Sequence, residues 1–259
     1  MQDRLVQDGL MQDRLVMDSA TARRLQLGLL LPRHGGVLPP VSLLAARAGW
    51  QSLWLPLGAA WPQHAAAAGM RIGWVVEEAR RVLDQAADVW LRGAAAAEAI
   101  AGPQSGVPEA REISVDVSDA AGVAAIRAAG AVAVFGPASV DVLIDLLRSS
   151  EGRSAVCLPA SPGRTVAESH ARLAADPGLG AEAEIAPGLV GTLEDCQQTV
   201  AALYAAGLRE LRLRLPATQD IADVIAQMST LRAEVLSGIE AGSPRSPAPD
   251  APASWGGRP

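Results

Sequence analysis

Lysine and asparagine are absent from this 259-residue chain, so arginine and three histidines supply every basic side chain. Basic residues number 22 against 28 Asp and Glu, a formal net charge of −6. Nucleic-acid surfaces need clustered basic charge to displace counterions, and no such cluster stands out, so no nucleic-acid partner is expected. Aromatic residues are scarce at 3%, which leaves a core of Ala, Val, Leu and Ile with six tryptophans as large fillers. The two cysteines, Cys157 and Cys196, offer no disulfide framework and read as reduced thiols. No run approaches the roughly 18 apolar residues of a membrane span, and no apolar segment of signal-peptide type follows Asp3, Arg4 and Asp8. A soluble, cytoplasmic protein without a membrane partner is the expectation. No His, Cys or carboxylate pair shows metal-ligand spacing beside a third ligand, and no G-x-S-x-G elbow is present. His34, His64 and His170 therefore have no evident nucleophile to activate. His170 falls in a helical pattern and is expected at the surface.

Apolar residues make up 49% of the chain, enough for a globular core. At the start, Met1–Val6 recurs as Met11–Val16, a duplication too short for a solenoid, and residues 1–23 read as an arm. At the end, residues 241–259 are rich in Pro, Ala, Gly and Ser and read as a tail, with Pro244 and Pro247 at a spacing that proline-reading domains accept. Residues 24–240 make up the folded domain.

Within it, short apolar runs alternate with longer stretches of helical period. Seven strands are expected, at Leu25–Leu31, Ser52–Leu55, Met70–Val75, Glu112–Val117, Ala131–Phe135, Ser154–Leu158 and Glu210–Leu215. Helices are expected at Val41–Ala48, Glu77–Ile100, Ala120–Ala128, Val140–Arg148, Val166–Ala174, Leu193–Ala206 and Ile221–Leu236. Ser139 is placed to cap one of them, and Glu194 and Asp195 set negative charge in the first turn after Thr192. Such alternation implies a parallel sheet covered by helices, either doubly wound or closed as a (β/α)₈ barrel. The domain is short for a barrel, which typically takes about 250 residues.

The order of motifs resembles the bacterial-luciferase-like oxidoreductases, a (β/α)₈ family with flavin- and deazaflavin-dependent members. Leu27–Pro32, Leu43–Trp50 and Ser52–Leu55 resemble its first strand, first helix and second strand, and Met70–Gly73 resembles the start of its third. Pro162–Glu168, Gly188–Glu194, Ala205–Arg212 and the segment from Leu215 and Pro216 through Asp220–Met228 resemble its C-terminal third. Between these, Trp74 runs directly into a segment whose Arg81–Asp84 and Trp90 resemble a later helix of the family. The expected fold is accordingly α/β, an incomplete (β/α)₈ TIM-type barrel with about seven parallel strands. An incomplete barrel exposes strand edges, and exposed edges favour association. A homodimer, or a heterodimer with a related barrel, is the corresponding expectation.

The resemblance implies FMN or a deazaflavin as cofactor and hydride transfer or monooxygenation of a small organic substrate. It also admits a non-catalytic relative that binds or stabilises a full-length partner subunit. Chemistry in such barrels sits at the C-terminal ends of the strands. Pro32 ends the first strand, ahead of the polar cluster Arg33–Gly36. Ser118 and Asp119 open a strand-to-helix turn resembling the family's phosphate cradle, although Asp119 brings negative charge there and either residue serves equally as a helix cap. Gly136 stands where the backbone approaches the flavin, or is a simple turn, and Arg164 opens a helix where it could meet a phosphate or substrate carboxylate, or hold the loop. The second strand ends in Pro56-Leu57-Gly58, without the polar groups many relatives carry.

Overall fold

The computed structural model describes residues 25–31, 38–57, 59, 62–77, 88–93, 96, 112–128, 130–150, 153–174, 176, 179, 188–216 and 221–240. The arm at 1–23 and the tail at 241–259 lie outside these. Among the described residues nine strands are present: β1 (Gln26–Leu30), β2 (Ser52–Pro56), β3 (Arg71–Val76), β4 (Asp88–Leu91), β5 (Ile113–Val117), β6 (Val132–Phe135), β7 (Ser154–Gly163), β8 (Leu189–Thr192) and β9 (Glu210–Arg214). The helices are α1 (Leu38–Arg47), α2 (Gln63–Ala67), α3 (Ala120–Ala128), α4 (Val140–Ser149), α5 (Val166–Leu173), α6 (Leu193–Ala205), α7 (Ile221–Thr230) and α8 (Ser237–Glu240), with a π-helical segment at Leu231–Leu236 joining the last two.

All strand pairs are parallel. β1 to β6 neighbour one another in chain order, β6 then pairs with the first half of β7, β7 with β9, and β9 with β1. This closes an eight-stranded α/β barrel. The ninth strand, β8, pairs with the outer half of β7, at Ala160–Gly163, and lies beyond the ring.

Two expectations are corrected here. The barrel has eight strands rather than about seven, because β4 lies inside the stretch read as one helix, Glu77–Ile100. With β4 pairing β3 on one side and β5 on the other, the ring has no gap. The open barrel edges invoked as the reason for dimerisation are therefore not there.

The strands alternate between two hydrophobic environments. Leu27, Leu29, Leu53, Leu55, Ile72, Trp74, Val89, Leu91, Leu211 and Leu213 face outward into one large cluster with the helices, including Val41, Leu143, Val200 and Leu231. Leu30, Trp54, Val75, Trp90, Val132, Val134 and Ala155 form a second cluster, in the lumen. Burial on both faces is why most strands read as continuous apolar runs. The helix ends follow local chemistry. The Thr192 hydroxyl accepts from the Asp195 N–H while the Asp195 carboxylate accepts from the Thr192 N–H, a reciprocal capping box that starts α6. Ser139 occupies the cap position of α4 but makes no side-chain cap bond.

Candidate functional site

The lumen is unusually polar for so small a barrel, and its polar groups come in tiers. At the N-terminal end, Arg71 of β3 donates to Glu112 and to Glu210, each at 3.0 Å, and stands 3.7 Å from Asp88; Arg153 pairs with Glu112. Opposite charges thus close the base of the barrel. One tier up, Arg212 is wholly buried, donating through Nε to Glu210 at 2.9 Å and through Nη2 to Ser114 at 2.8 Å. Its guanidinium lies 3.8 Å from the Trp54 ring centroid and 4.9 Å from that of Trp90. A planar, weakly hydrated cation suits this slot as an ammonium would not. Burial costs the Glu210 carboxylate, but Arg212 and Arg71 outweigh it and hold the group below its ordinary range.

Trp54 and Trp90 meet edge to face, with centroids 5.7 Å apart, and fill the middle of the lumen. Glycines make the room. A Cβ on Gly73 would lie 2.3 Å from the Trp54 ring, and one on Gly28 would lie 2.5 Å from the Ser52 hydroxyl.

Above the tryptophans, at the C-terminal ends of the strands, is a small concavity enclosing about 10 Å³, room for about one water. It is lined by Trp90 and Arg92 from β4 and its continuation, Asp116 from β5, Gly136 and Pro137 after β6, Cys157 and Pro159 from β7, and Arg214 from β9. Asp116 accepts from Trp90 Nε1 at 2.6 Å and from Arg92 Nε at 3.1 Å, and the Arg92 guanidinium lies 5.2 Å from the Trp90 ring centroid. Burial pushes the Asp116 carboxyl up despite the opposing pull of Arg92. The mouth therefore combines an aromatic floor, two guanidinium groups and a carboxyl shifted toward its protonated form. That set can bind an electron-rich planar ring edge and move a proton.

Of the residues singled out from the sequence, Gly136 lines this concavity. A Cβ there would meet the Cys157 carbonyl oxygen at 2.3 Å, so the position takes glycine. Ser118 and Asp119 are exposed just beyond β5 and are not among the lining residues; Asp119 accepts from the Gly122 N–H at 2.7 Å, at the start of α3. Arg164 is exposed beyond the end of β7, and its backbone N–H donates to Glu168 at 2.9 Å. Pro32 and His34 lie outside the described residues, as does the His64 side chain, while His170 is exposed on α5. Sequence reasoning missed Trp90, Arg92, Asp116, Cys157 and Arg214 as site residues. The signal was present in Glu112-x-Ser114-x-Asp116 and Glu210-x-Arg212-x-Arg214, where polar side chains recur at period two in strands whose other face is buried. Among the described residues no group of His, Cys, Asp and Glu is arranged to hold a metal ion, and no helix is long and apolar enough to cross a membrane.

No protein-family model matches the sequence, and no curated protein matches it. Solved structures do match. The chain is similar to a coenzyme F420 dependent tetrahydromethanopterin reductase from Methanopyrus kandleri, at 9% identity over 83% of this chain and 99% of that one, with a TM-score of 0.54. It is similar to the oxygenating constituent of 3,6-diketocamphane monooxygenase from Pseudomonas putida, a type II Baeyer-Villiger monooxygenase in complex with FMN, at 12% identity over 82% and 98%, with a TM-score of 0.52. It is also similar to monooxygenase RslO1 from Streptomyces bottropensis, at 12% identity over 82% and 99%, with a TM-score of 0.54. At these identities the likeness shows the fold alone, an α/β barrel of the kind the resemblance read from the sequence implies.

Proposed function

We propose that the chain is an oxidoreductase whose barrel mouth holds the ring system of FMN or a deazaflavin and admits a small organic substrate. The observation carrying this reading is the constellation of Trp90, Arg92, Asp116 and Arg214 around one concavity at the C-terminal ends of the strands, the end of a (β/α)₈ barrel where chemistry is found. The enclosed space of about 10 Å³ holds about one water, well below the roughly 300–1,000 Å³ of small-molecule pockets, so a ring system would rest across the mouth rather than inside it. Trp90 supplies the floor, and Arg92 and Arg214 set positive charge beside the edge that becomes electron-rich on reduction.

When bound, such a cofactor supplies the hydride or oxygen chemistry, and the protein supplies binding, orientation and electrostatics. Asp116, with its carboxyl pushed up by burial and held by Trp90 and Arg92, is the group we assign to proton transfer at the mouth. For the cofactor phosphate we favour Arg164 over Ser118 and Asp119. The Asp119 carboxylate already accepts a hydrogen bond at the start of α3 and would repel a second anion.

A second reading, a non-catalytic relative that binds a partner subunit, draws support from β2, which ends in Pro56 and the partly buried Leu57 packed on the core and, among the described residues, gives the mouth no polar group. Titration of the full chain with FMN and with F420, followed by visible absorption and equilibrium dialysis, separates the two. The expected result is a saturable spectral shift with one of them. Arg92→Ala and Arg214→Ala should each weaken binding about tenfold, the equivalent of roughly 1.4 kcal/mol and within the range for a charged contact. No spectral change at saturating concentrations of either cofactor overturns the oxidoreductase reading in favour of the partner-binding one.

A further inference from the structure

The two tryptophans of the lumen, Trp54 and Trp90, give their indole N–H groups to unlike partners. Trp54 Nε1 donates to the Ser52 hydroxyl at 3.1 Å, and a hydroxyl is too weak a base to take that proton away. Trp90 Nε1 donates instead to the Asp116 carboxylate at 2.6 Å, a short, charge-assisted bond. Arg92 Nε holds the other carboxylate oxygen, Oδ2, at 3.1 Å, which keeps Oδ1 on the indole. The two residues lie on the paired strands β4 and β5 and both line the mouth concavity. Trp90 is 0% exposed, whereas the Asp116 side chain keeps 30% exposure. The ring is shut off from water while its proton acceptor opens onto solvent.

The charges around the ring decide what an oxidation there can produce. The Arg212 guanidinium lies 4.9 Å from the Trp90 ring centroid and that of Arg92 lies 5.2 Å away. Loss of an electron alone would set a third positive charge among these two, with only the Asp116 carboxylate to oppose them and little water to screen the repulsion. Loss of the proton together with the electron leaves the ring neutral. Burial pushes the Asp116 carboxyl up, which makes its carboxylate the stronger base for that proton. The proton moves along a hydrogen bond already made. The electron needs contact at the mouth and no room inside it.

We propose that Trp90 is a redox-active side chain that reduces outer-sphere one-electron oxidants reaching the barrel mouth. Trp90 loses one electron and the oxidant gains it. The Nε1–H bond breaks as an O–H bond forms on Asp116 Oδ1, so the products are a neutral indolyl radical, a protonated Asp116 and the reduced oxidant. Asp116 then returns the proton to water through its exposed side. The step stands apart from the cofactor reading, since it requires no bound ring and would persist in a chain that takes up neither FMN nor a deazaflavin.

The test is flash-quench oxidation of the full chain by photogenerated tris(bipyridine)ruthenium(III), followed by transient visible absorption and by electron paramagnetic resonance. Trp61→Phe and Trp255→Phe provide the background, removing the two tryptophans that lie outside the described residues. The expected signal is a neutral rather than a cationic tryptophan radical, formed more slowly in heavy water. Trp90→Phe should abolish it. In Asp116→Asn the amide oxygen still accepts the indole N–H but cannot take up its proton, so the neutral radical and the isotope effect should both be lost. That change lies at a part-exposed side chain and keeps the proposal testable should Trp90→Phe fail to fold. Absence of any tryptophan radical in the background chain, a radical that survives Trp90→Phe in the folded protein, or a neutral radical formed at an unchanged rate in Asp116→Asn overturns the proposal.

Discussion

Replacing Glu210 with alanine should destabilise the protein by roughly 3–5 kcal/mol, the cost of leaving a buried charge without its partner. Arg212 is 0% exposed and Glu210 only 2%, so no water is at hand to take over the vacated hydrogen bond at Arg212 Nε. Arg71 is spared the full effect, because it still donates to Glu112. Against a typical stability of about 5–15 kcal/mol, a loss of this size removes a large share of the total. Urea or thermal unfolding of the two proteins measures it. Replacing the pair together, with Glu210→Leu and Arg212→Met, should cost clearly less than the sum of the single changes, since well-packed apolar residues often match a buried ion pair. A cost below about 1 kcal/mol for Glu210→Ala would match a surface pair and mean that the lumen relaxes or admits water, contrary to the buried-pair expectation.

The pair also has a pH signature. Glu210 is held below its ordinary value of 4.5 by Arg212 and Arg71 in spite of burial. A carboxylate depressed on folding contributes stability above its unfolded value, and that contribution is lost as the pH falls through the folded value. Asp88 and Asp116 are pushed the other way by burial, so the whole-protein profile mixes opposing trends. The difference in stability between the wild type and Glu210→Gln isolates the one group. It should be largest above about pH 4.5 and shrink on acidification.

Much of the architecture was legible in the sequence because strands of a helix-covered barrel announce themselves as apolar runs. All seven expected strands are present, and the last of them neighbours the first, with Gln26 opposite Glu210 and Leu30 opposite Arg214. Within the ring, what was hidden was β4. Its four residues, Asp88-Val-Trp-Leu91, are too few to display period two, and the inward pair is a charge and a tryptophan rather than two aliphatic side chains. Asp88 faces Arg71 and Trp90 faces Trp54, so the strand is explained by lumen partners far apart in sequence. The same reason hid the site. Resemblance directed attention to turns after the strands, such as Ser118-Asp119, whereas the mouth is built from inward positions of the strands themselves and their immediate ends. Those positions become meaningful only once the sheet is known to close.

Closure also sets the second large effect. Gly73→Val should destabilise the barrel by about 3 kcal/mol or more, at the upper end of overpacking costs. Even the first carbon of the new side chain would lie 2.3 Å from the Trp54 ring, whereas ordinary contact begins near 3.4 Å. The ring cannot swing away, because it is 0% exposed, its indole N–H is held by the Ser52 hydroxyl at 3.1 Å, one side carries the Arg212 guanidinium, and its edge meets Trp90. Backbone movement is no easier, since Gly73 is paired to Trp54 on one side and Asp88 on the other. Trp54→Leu alone should cost about 3 kcal/mol, through lost burial and the cavity left beside Arg212. In that background the valine enters space the indole has vacated. The combination Trp54→Leu with Gly73→Val should therefore be less destabilised than the two separate costs added together, by at least about 1 kcal/mol of favourable coupling. Chemical denaturation of the four proteins closes the cycle, and strict additivity would show that Gly73 is required for something other than the volume of Trp54.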